Sequence, residues 1–446
     1  MQNVFRNFSN FNKFFRFNKT CGLSSPVFHD RKNKKVSSTH QLPYPSILRG
    51  LGVPFFPLLP HNSLMTIIQN ILKDHYEELI YILHPRPAVV DNVEKMIHCG
   101  DPAFGGTMFG CPHCGKLKFV PFRCHSRFCP TCGNLYSMCR TTSMAFKLIN
   151  VPHRHCVFTI DSHLREFFLK DRSLLDCLFH SVNKVVSRMF FKQNQAMNFV
   201  PGFIMVLHTF GRDLKWNPHI HCLISEGGYS DNGVWRNIRH FSYSFLRNAF
   251  RTVLLDEMET KLGPSFKQVK ARCYREHKEG FYVYAKPKKC NPETAIKYIG
   301  RYLGRPVIAS SRIDRYDGDF VTFHYNRHED DAYVEETLPV MEFIQRLIQH
   351  IPEKHYKMLR YGGIYARHRE IDKKLHRVIS REKHSIYRSF HKWRSAILSS
   401  FGYDPLKCEC GAIMLFQELY YRHKRVSLEE MYENVMSRSR GRRSSA

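Results

Sequence analysis

The stretch "LHTFGRDLKWNPHIHCLI", Leu207–Ile224, decides how the rest of the chain is read. Its two ends belong to "GFIMVLHTFG" (202–211) and "HIHCLISEGG" (219–228), both dense in β-branched and aromatic residues. Between them, "GRDLKWNP" carries the Gly, Asp, Asn and Pro of a turn. The pattern predicts two antiparallel strands. A strand sends alternate side chains to one face, so His219 and His221 point together while Ile220 anchors the opposite face in a core. Burying two imidazoles without partners is costly. They are therefore either a hydrogen-bonded core pair or ligands of a divalent cation. Spacing alone leaves both readings open, because a chain with 26 histidines forms such pairs by chance. His153–His155 is another, and there the middle residue, Arg154, is a poor anchor for a buried opposite face.

Working outward, "HCVFTID" (155–161), "GFYVYAKP" (280–287) and "DFVTFHYN" (319–326) read as further strands. Apolar residues at helical spacing predict helices over 63–83, 89–99, 164–191, 241–262, 291–306 and 341–351. Strands and helices alternate from 150 to 330, which predicts an α+β sheet domain. The N-terminal third and the C-terminal end read as mostly helical, with metal-site loops attached.

The chain has 446 residues, 43% of them hydrophobic, enough for two or three folded domains. Lys and Arg total 68 against 39 acids, a formal charge of +29, which points to nucleic acid first and to an anionic membrane surface second. No apolar run reaches the roughly 18 residues of a spanning helix, so a membrane role is not expected. Aromatic residues make up 13% of the chain and suit stacking on bases as well as core packing. The first forty residues are basic, with Asp30 the only acid, and read as a loosely ordered arm rather than a targeting segment.

Fifteen cysteines in a chain of this length fit reduced thiols, some on metal, better than a disulfide framework. "CPHCGKLKFVPFRCHSRFCPTCG" places Cys111, Cys114, Cys129 and Cys132 at C-x₂-C-x₁₄-C-x₂-C. That spacing predicts one structural Zn²⁺ held by those four thiolates. Cys99 and Cys124, with His98 and His125, are candidates for further zinc ligands. Cys408 and Cys410 leave one residue between them, too short for a usual zinc knuckle, and read as an unused pair.

In "AIKYIGRYLGR", Tyr298 and Tyr302 lie four apart, on one face of a helix. An aromatic core stripe is the plain reading. The alternative is a nucleophile, because Lys297, Arg301 and Arg305 surround the pair with positive charge and a tyrosine hydroxyl near cations can attack a phosphodiester.

Together these pieces resemble the HUH endonucleases and, in detail, the rolling-circle transposases of the insertion sequence ninety-one family. "CHSRFCPTCG" (124–133) resembles the family's zinc segment, "HCVFTID" its first strand, and "NPHIHCLI" (217–224) its metal motif. "YIGRYLGRPVIASSRI" (298–313) resembles its two-tyrosine segment, and 343–369 a downstream block. The resemblance implies a basic arm at 1–40, a helical and Cys-rich zinc-binding domain at 41–140, an antiparallel-sheet HUH catalytic domain with helices on its faces at 141–375, and a helical C-terminal region with a basic tail at 376–446. It implies that His219 and His221, with His208 from the preceding strand, hold a catalytic Mg²⁺ or Mn²⁺. It implies that Tyr298 or Tyr302 attacks single-stranded DNA at transposon ends to form a 5′-phosphotyrosine, and that the cut strand is joined to target DNA. Arg301, Arg305, Arg312 and Lys297 are the expected phosphate contacts. No P-loop pattern is present, so unwinding would fall to a host helicase, and the expected location is the nucleoid of a bacterial cytoplasm. The rival readings are a rolling-circle replication initiator and a zinc-ribbon DNA-binding protein without catalysis.

Overall fold

The computed structural model describes residues 66–285, 307–366 and 392–433, apart from short stretches at 146, 194–198, 231–232, 239, 328–329, 402, 422–423, 428 and 431–432. In chain order the helices are α1 (Ile67–Asp74), α2 (Tyr76–Leu83), α3 (Pro87–Ile97), α4 (Pro130–Ala145), α5 (Arg165–Lys170), α6 (Leu175–Gln193), α7 (Tyr243–Leu262), α8 (Lys267–Glu276), α9 (Val340–Ile348) and α10 (Trp393–Phe401). The strands are β1 (Gly105–Gly110), β2 (Leu117–Pro121), β3 (His153–Phe158), β4 (Val200–Phe210), β5 (Trp216–Tyr229), β6 (Trp235–Asn237), β7 (Val283–Ala285), β8 (Ile313–Tyr316), β9 (Phe320–Asn326), β10 (Tyr333–Pro339), β11 (Leu359–Gly363), β12 (Leu415–Tyr421) and β13 (Lys424–Arg425). The described residues fall into two units. One holds 100–123 and 392 onward, and the other holds 66–99 and 124–366.

The larger unit is built on an antiparallel sheet in the order β11-β4-β5-β3-β7, with β6 pairing β5. The expected hairpin of 202–228 is its centre. One face is the main core. Phe158 of β3, Phe203, Met205 and Leu207 of β4, and Ile220, Cys222 and Ile224 of β5 pack against α6 and α7 through Leu178, Val182, Val186, Leu246, Phe250 and Leu254. Each large apolar side chain buried there contributes about 1.5–3 kcal/mol. Part of the opposite face is covered by Met144, Leu148, Ile149 and Tyr365, which pack on Ile204, Val206 and Leu223. A separate core joins α1, α3 and α9 to the antiparallel sheet β10-β9-β8, centred on Ile71, Val93, Val321, Phe323 and Phe343. No helix of the described residues is long and apolar enough to cross a membrane.

Local chemistry sets several boundaries. Thr66 and Gln69 form a capping box that starts α1. The long helix expected over 164–191 is divided, because the Asp171 carboxylate caps a new turn by accepting from the Ser173 N–H. The hairpin turn puts Leu214 at φ +64 although it is fully buried. Its carbonyl accepts from His350 Nε2 at 2.9 Å and from Gln349 Nε2 at 3.3 Å, which holds the strained residue in place.

The smaller unit differs from the expected helical C-terminal region. Its centre is a four-stranded antiparallel sheet in the order β13-β12-β1-β2, in which Gly105–Gly110 pairs with Leu415–Tyr421. Short strands paired some 300 residues apart leave little local signature, and their hydrophobic runs read equally well as helix. The stretch 41–140 expected as one zinc-binding domain therefore contributes to both units.

Candidate metal centres and the histidine face

Register places the histidines. His208 of β4 lies opposite His219 of β5, and His221 lies opposite Val206 on one side and Val157 on the other. Cross-strand partners share a face, so His208, His219 and His221 all stand on the face away from the main core. Their ligand atoms lie within 4.8 Å of one another. His208 and His221 are buried and His219 is half-buried.

The hydrogen bonds set the tautomers. His219 Nδ1 is 2.7 Å from the Asn217 carbonyl oxygen, which can only accept, so Nδ1 carries the proton and Nε2 of the neutral ring carries the lone pair. His219 Nε2 faces His221 Nε2 at 3.0 Å, and His221 Nδ1 faces His155 Nε2 at 3.0 Å. Burial, followed by the neighbouring His208, His219 and His155, pushes His221 well below the ordinary histidine range. Imidazole nitrogens converging at this distance are a donor set that fits a divalent cation.

Motif spacing does not lead to His155. It sits on β3 opposite Leu223 and stacks against His221, with ring centroids 5.2 Å apart. The middle residue of that pair, Arg154, points to the other face and pairs with Glu226 and Tyr243. The one signal for it in the sequence is the His153–His155 alternation itself. His153, fully buried, bonds the Val151 carbonyl and the Tyr365 hydroxyl, and burial lowers its pKa to about 4.

Tyr298, Tyr302, Lys297, Arg301 and Arg305 lie outside the described residues. Arg312 is described. Its Nε donates to the His324 carbonyl and its Nη2 to the Arg212 carbonyl, so the guanidinium ties the hairpin turn to β9.

The expected single Cys111–Cys114–Cys129–Cys132 site is corrected. Those thiols divide between two groups. Cys129 and Cys132 converge with Cys99 and Cys124, and Cys111 and Cys114 converge with Cys408 and Cys410. The reason is that β1 pairs with β12, which places Cys111 and Cys114 beside Cys408 and Cys410, while α3 delivers Cys99 to the group at the start of α4. In the first group the sulfurs of Cys99 and Cys132 are 3.5 Å apart and those of Cys129 and Cys99 are 3.8 Å apart. A tetrahedral zinc with Zn–S bonds of about 2.3 Å requires sulfur–sulfur edges of about 3.8 Å, so the group fits that ion. Hydrogen bonding within the group lowers the pKa of Cys99 and Cys129 and raises that of Cys124, so the four thiols act as one set.

Residues 71–160 match the family described as "Transposase zinc-binding domain", and residues 202–372, which include His208, His219 and His221, match the family described as "Putative transposase". The chain is 30% identical over 348 residues to the "Transposase for insertion sequence element IS801" of Pseudomonas savastanoi pv. phaseolicola, covering 74% of this chain and 84% of that one. It is 27% identical over 292 residues to the "Putative transposase y4qJ" of Sinorhizobium fredii, covering 61% of this chain and 73% of that one. No solved structure matches the chain. With both family matches on one chain and that identity along most of its length, the protein belongs to the insertion sequence ninety-one family of transposases.

Proposed function

We propose that this chain is an HUH-type DNA strand transferase that nicks and joins single-stranded DNA at transposon ends during rolling-circle transposition. The observation that carries the reading is the convergence of His208, His219 and His221 on one sheet face. They would hold the catalytic Mg²⁺ or Mn²⁺, which supplies charge stabilisation at the scissile phosphate. The hydroxyl of Tyr298 or Tyr302 attacks phosphorus. A Tyr O–P bond forms, the P–O3′ bond breaks, and the strand leaves with a free 3′-OH and a 5′-phosphotyrosine. In the reverse step a 3′-OH attacks that phosphotyrosine and releases the tyrosine. Each step exchanges one phosphodiester for another, so joining needs no nucleotide triphosphate, and unwinding is left to a host helicase. Lys297, Arg301 and Arg305, flanking the tyrosines in sequence, are the proposed phosphate contacts.

The sheet also offers a place for bases. Tyr284 of β7 is in register with Val157, which is in register with His221, so Tyr284 shares the histidine face. Tyr282 stacks on Tyr284 with ring centroids 6.5 Å apart, and the two are 54% and 40% exposed. Arg247 lies over the Tyr282 ring at 5.2 Å. Exposed aromatic rings beside a cation suit the stacking of single-stranded bases.

The test is incubation of the purified protein with Mg²⁺ and labelled single-stranded oligonucleotides from the element's ends. A covalent adduct mapping to Tyr298 or Tyr302, lost in the matching Phe variant and in chelator, is the expected result. Tight binding with no adduct under any divalent ion would instead identify a DNA-binding protein without catalysis.

A further inference from the structure

We infer that Cys111, Cys114, Cys408 and Cys410 form a second zinc site, separate from the Cys99 group, and that this ion clasps the C-terminal strand to the N-terminal hairpin. The four sulfurs lie within 4.8 Å of one another. Cys111 and Cys410 are 3.5 Å apart, as are Cys114 and Cys408. These spacings match the roughly 3.8 Å edge of a tetrathiolate zinc.

Strand register brings the two pairs together. Gly110 at the end of β1 lies opposite Leu415 at the start of β12. The turn that leaves β1 and the turn that enters β12 therefore meet at the same end of the sheet. Both turns are closed in the same way. Cys111 N–H donates to the Lys116 carbonyl and Gly115 N–H to the Cys111 carbonyl, while Cys408 N–H donates to the Ala412 carbonyl and Gly411 N–H to the Cys408 carbonyl. Each turn ends in a glycine at positive φ, +72 at Gly115 and +89 at Gly411. The C-terminal turn is one residue tighter. That corrects the expectation that Cys408 and Cys410 are unused, because a tight turn with a left-handed glycine still presents both thiols to one side.

The buried cluster at this end consists of Cys111, Cys408 and Met414, with Phe109 and Ala412 against it. A four-thiol zinc would add to this small cluster, as structural metals do in small units. The Lys116–Glu409 ion pair links the same two turns but is exposed and adds little. The inference is independent of the strand-transfer chemistry.

The experiment measures zinc per chain in the full-length protein purified under reducing conditions. The expected content is two ions, falling to one in Cys408→Ser, to one in Cys129→Ser, and to none in the double variant. If Cys408→Ser keeps the same zinc content as the unaltered protein, the inference is wrong. A second measurement avoids dependence on a variant that folds poorly. Cys114 and Cys410 are exposed, so as free thiols they would alkylate quickly. Iodoacetamide followed by mass mapping should find both protected in the untreated protein and labelled after chelation. Rapid labelling before chelation would overturn the site.

Discussion

Acidification should destabilise the larger unit, with His350 a principal cause. His350 is 1% exposed, with Nε2 donating to the Leu214 carbonyl at 2.9 Å and Nδ1 accepting from the Thr209 hydroxyl at 3.1 Å. Burial, opposed in part by the hydrogen bond to Leu214, lowers its pKa to about 3. In the unfolded chain a histidine titrates near 6.5. A depressed folded pKa means that the unfolded chain binds more protons below pH 6.5. The stability present above that pH is therefore lost as pH falls toward the folded value. Between pH 8 and pH 5 the loss from this one group is about 2 kcal/mol. His153, lowered to about 4, adds a similar loss over the same window, bringing the two together to about 4 kcal/mol. The assay is urea unfolding at pH 8, 7, 6 and 5, followed by tryptophan fluorescence, since Trp216 stacks on His350 with ring centroids 5.8 Å apart. His350→Gln removes the titration. It should be less stable than the unaltered protein at pH 8 by about 1–3 kcal/mol for the disturbed buried hydrogen bonds, with the gap narrowing by about 2 kcal/mol at pH 5. Thiolate protonation acts equally on both proteins and cancels in the comparison. A gap that stays constant across the pH range refutes the assignment.

Other outcomes follow from the same geometry. Gly362 faces Phe203 across β11 and β4, and an added Cβ would meet the Phe203 ring at 2.0 Å, so Gly362→Ala should lower stability by about 1–3 kcal/mol in the same urea assay. His155 positions His221, so His155→Phe should weaken Mn²⁺ binding by about 10–100-fold in calorimetric titration. His155→Gln, which keeps a hydrogen-bonding group, should recover part of that loss, and equal affinity in the Phe variant would remove the positioning role. Tyr284→Leu should weaken binding of a single-stranded end oligonucleotide by about 5–150-fold, the equivalent of about 1–3 kcal/mol of stacking, while Tyr284→Phe should bind as the unaltered protein does. Loss in both variants would point away from stacking.

Much of the histidine site is legible in the residue pattern. The alternation in "NPHIHCLI" puts His219 and His221 on one face, and the family resemblance points to His208 on the preceding strand, while its register opposite His219 comes from the fold. His155 is not legible in the same way, because its role depends on which strand flanks β5, and strand order is a tertiary matter. The helical reading of the C-terminal region holds for α10 but misses β12, because β12 gains its partner only from β1, far away in the chain, and β-structure is decided by such pairing more than by local preference.

Taken alone, the residue order establishes that the chain is basic, that it carries an α+β sheet with paired histidines facing one way, and that its cysteines are numerous enough for metal. It does not say which thiols share an ion. Spacing joins Cys111 and Cys114 to Cys129 and Cys132, the nearest pair along the chain. The fold joins them to Cys408 and Cys410 and gives Cys129 and Cys132 to Cys99 and Cys124. The physical reason is that a four-sulfur site is closed by proximity in space. Here proximity is set by the register of β1 on β12 and by the delivery of Cys99 from α3, neither of which leaves a trace in local spacing.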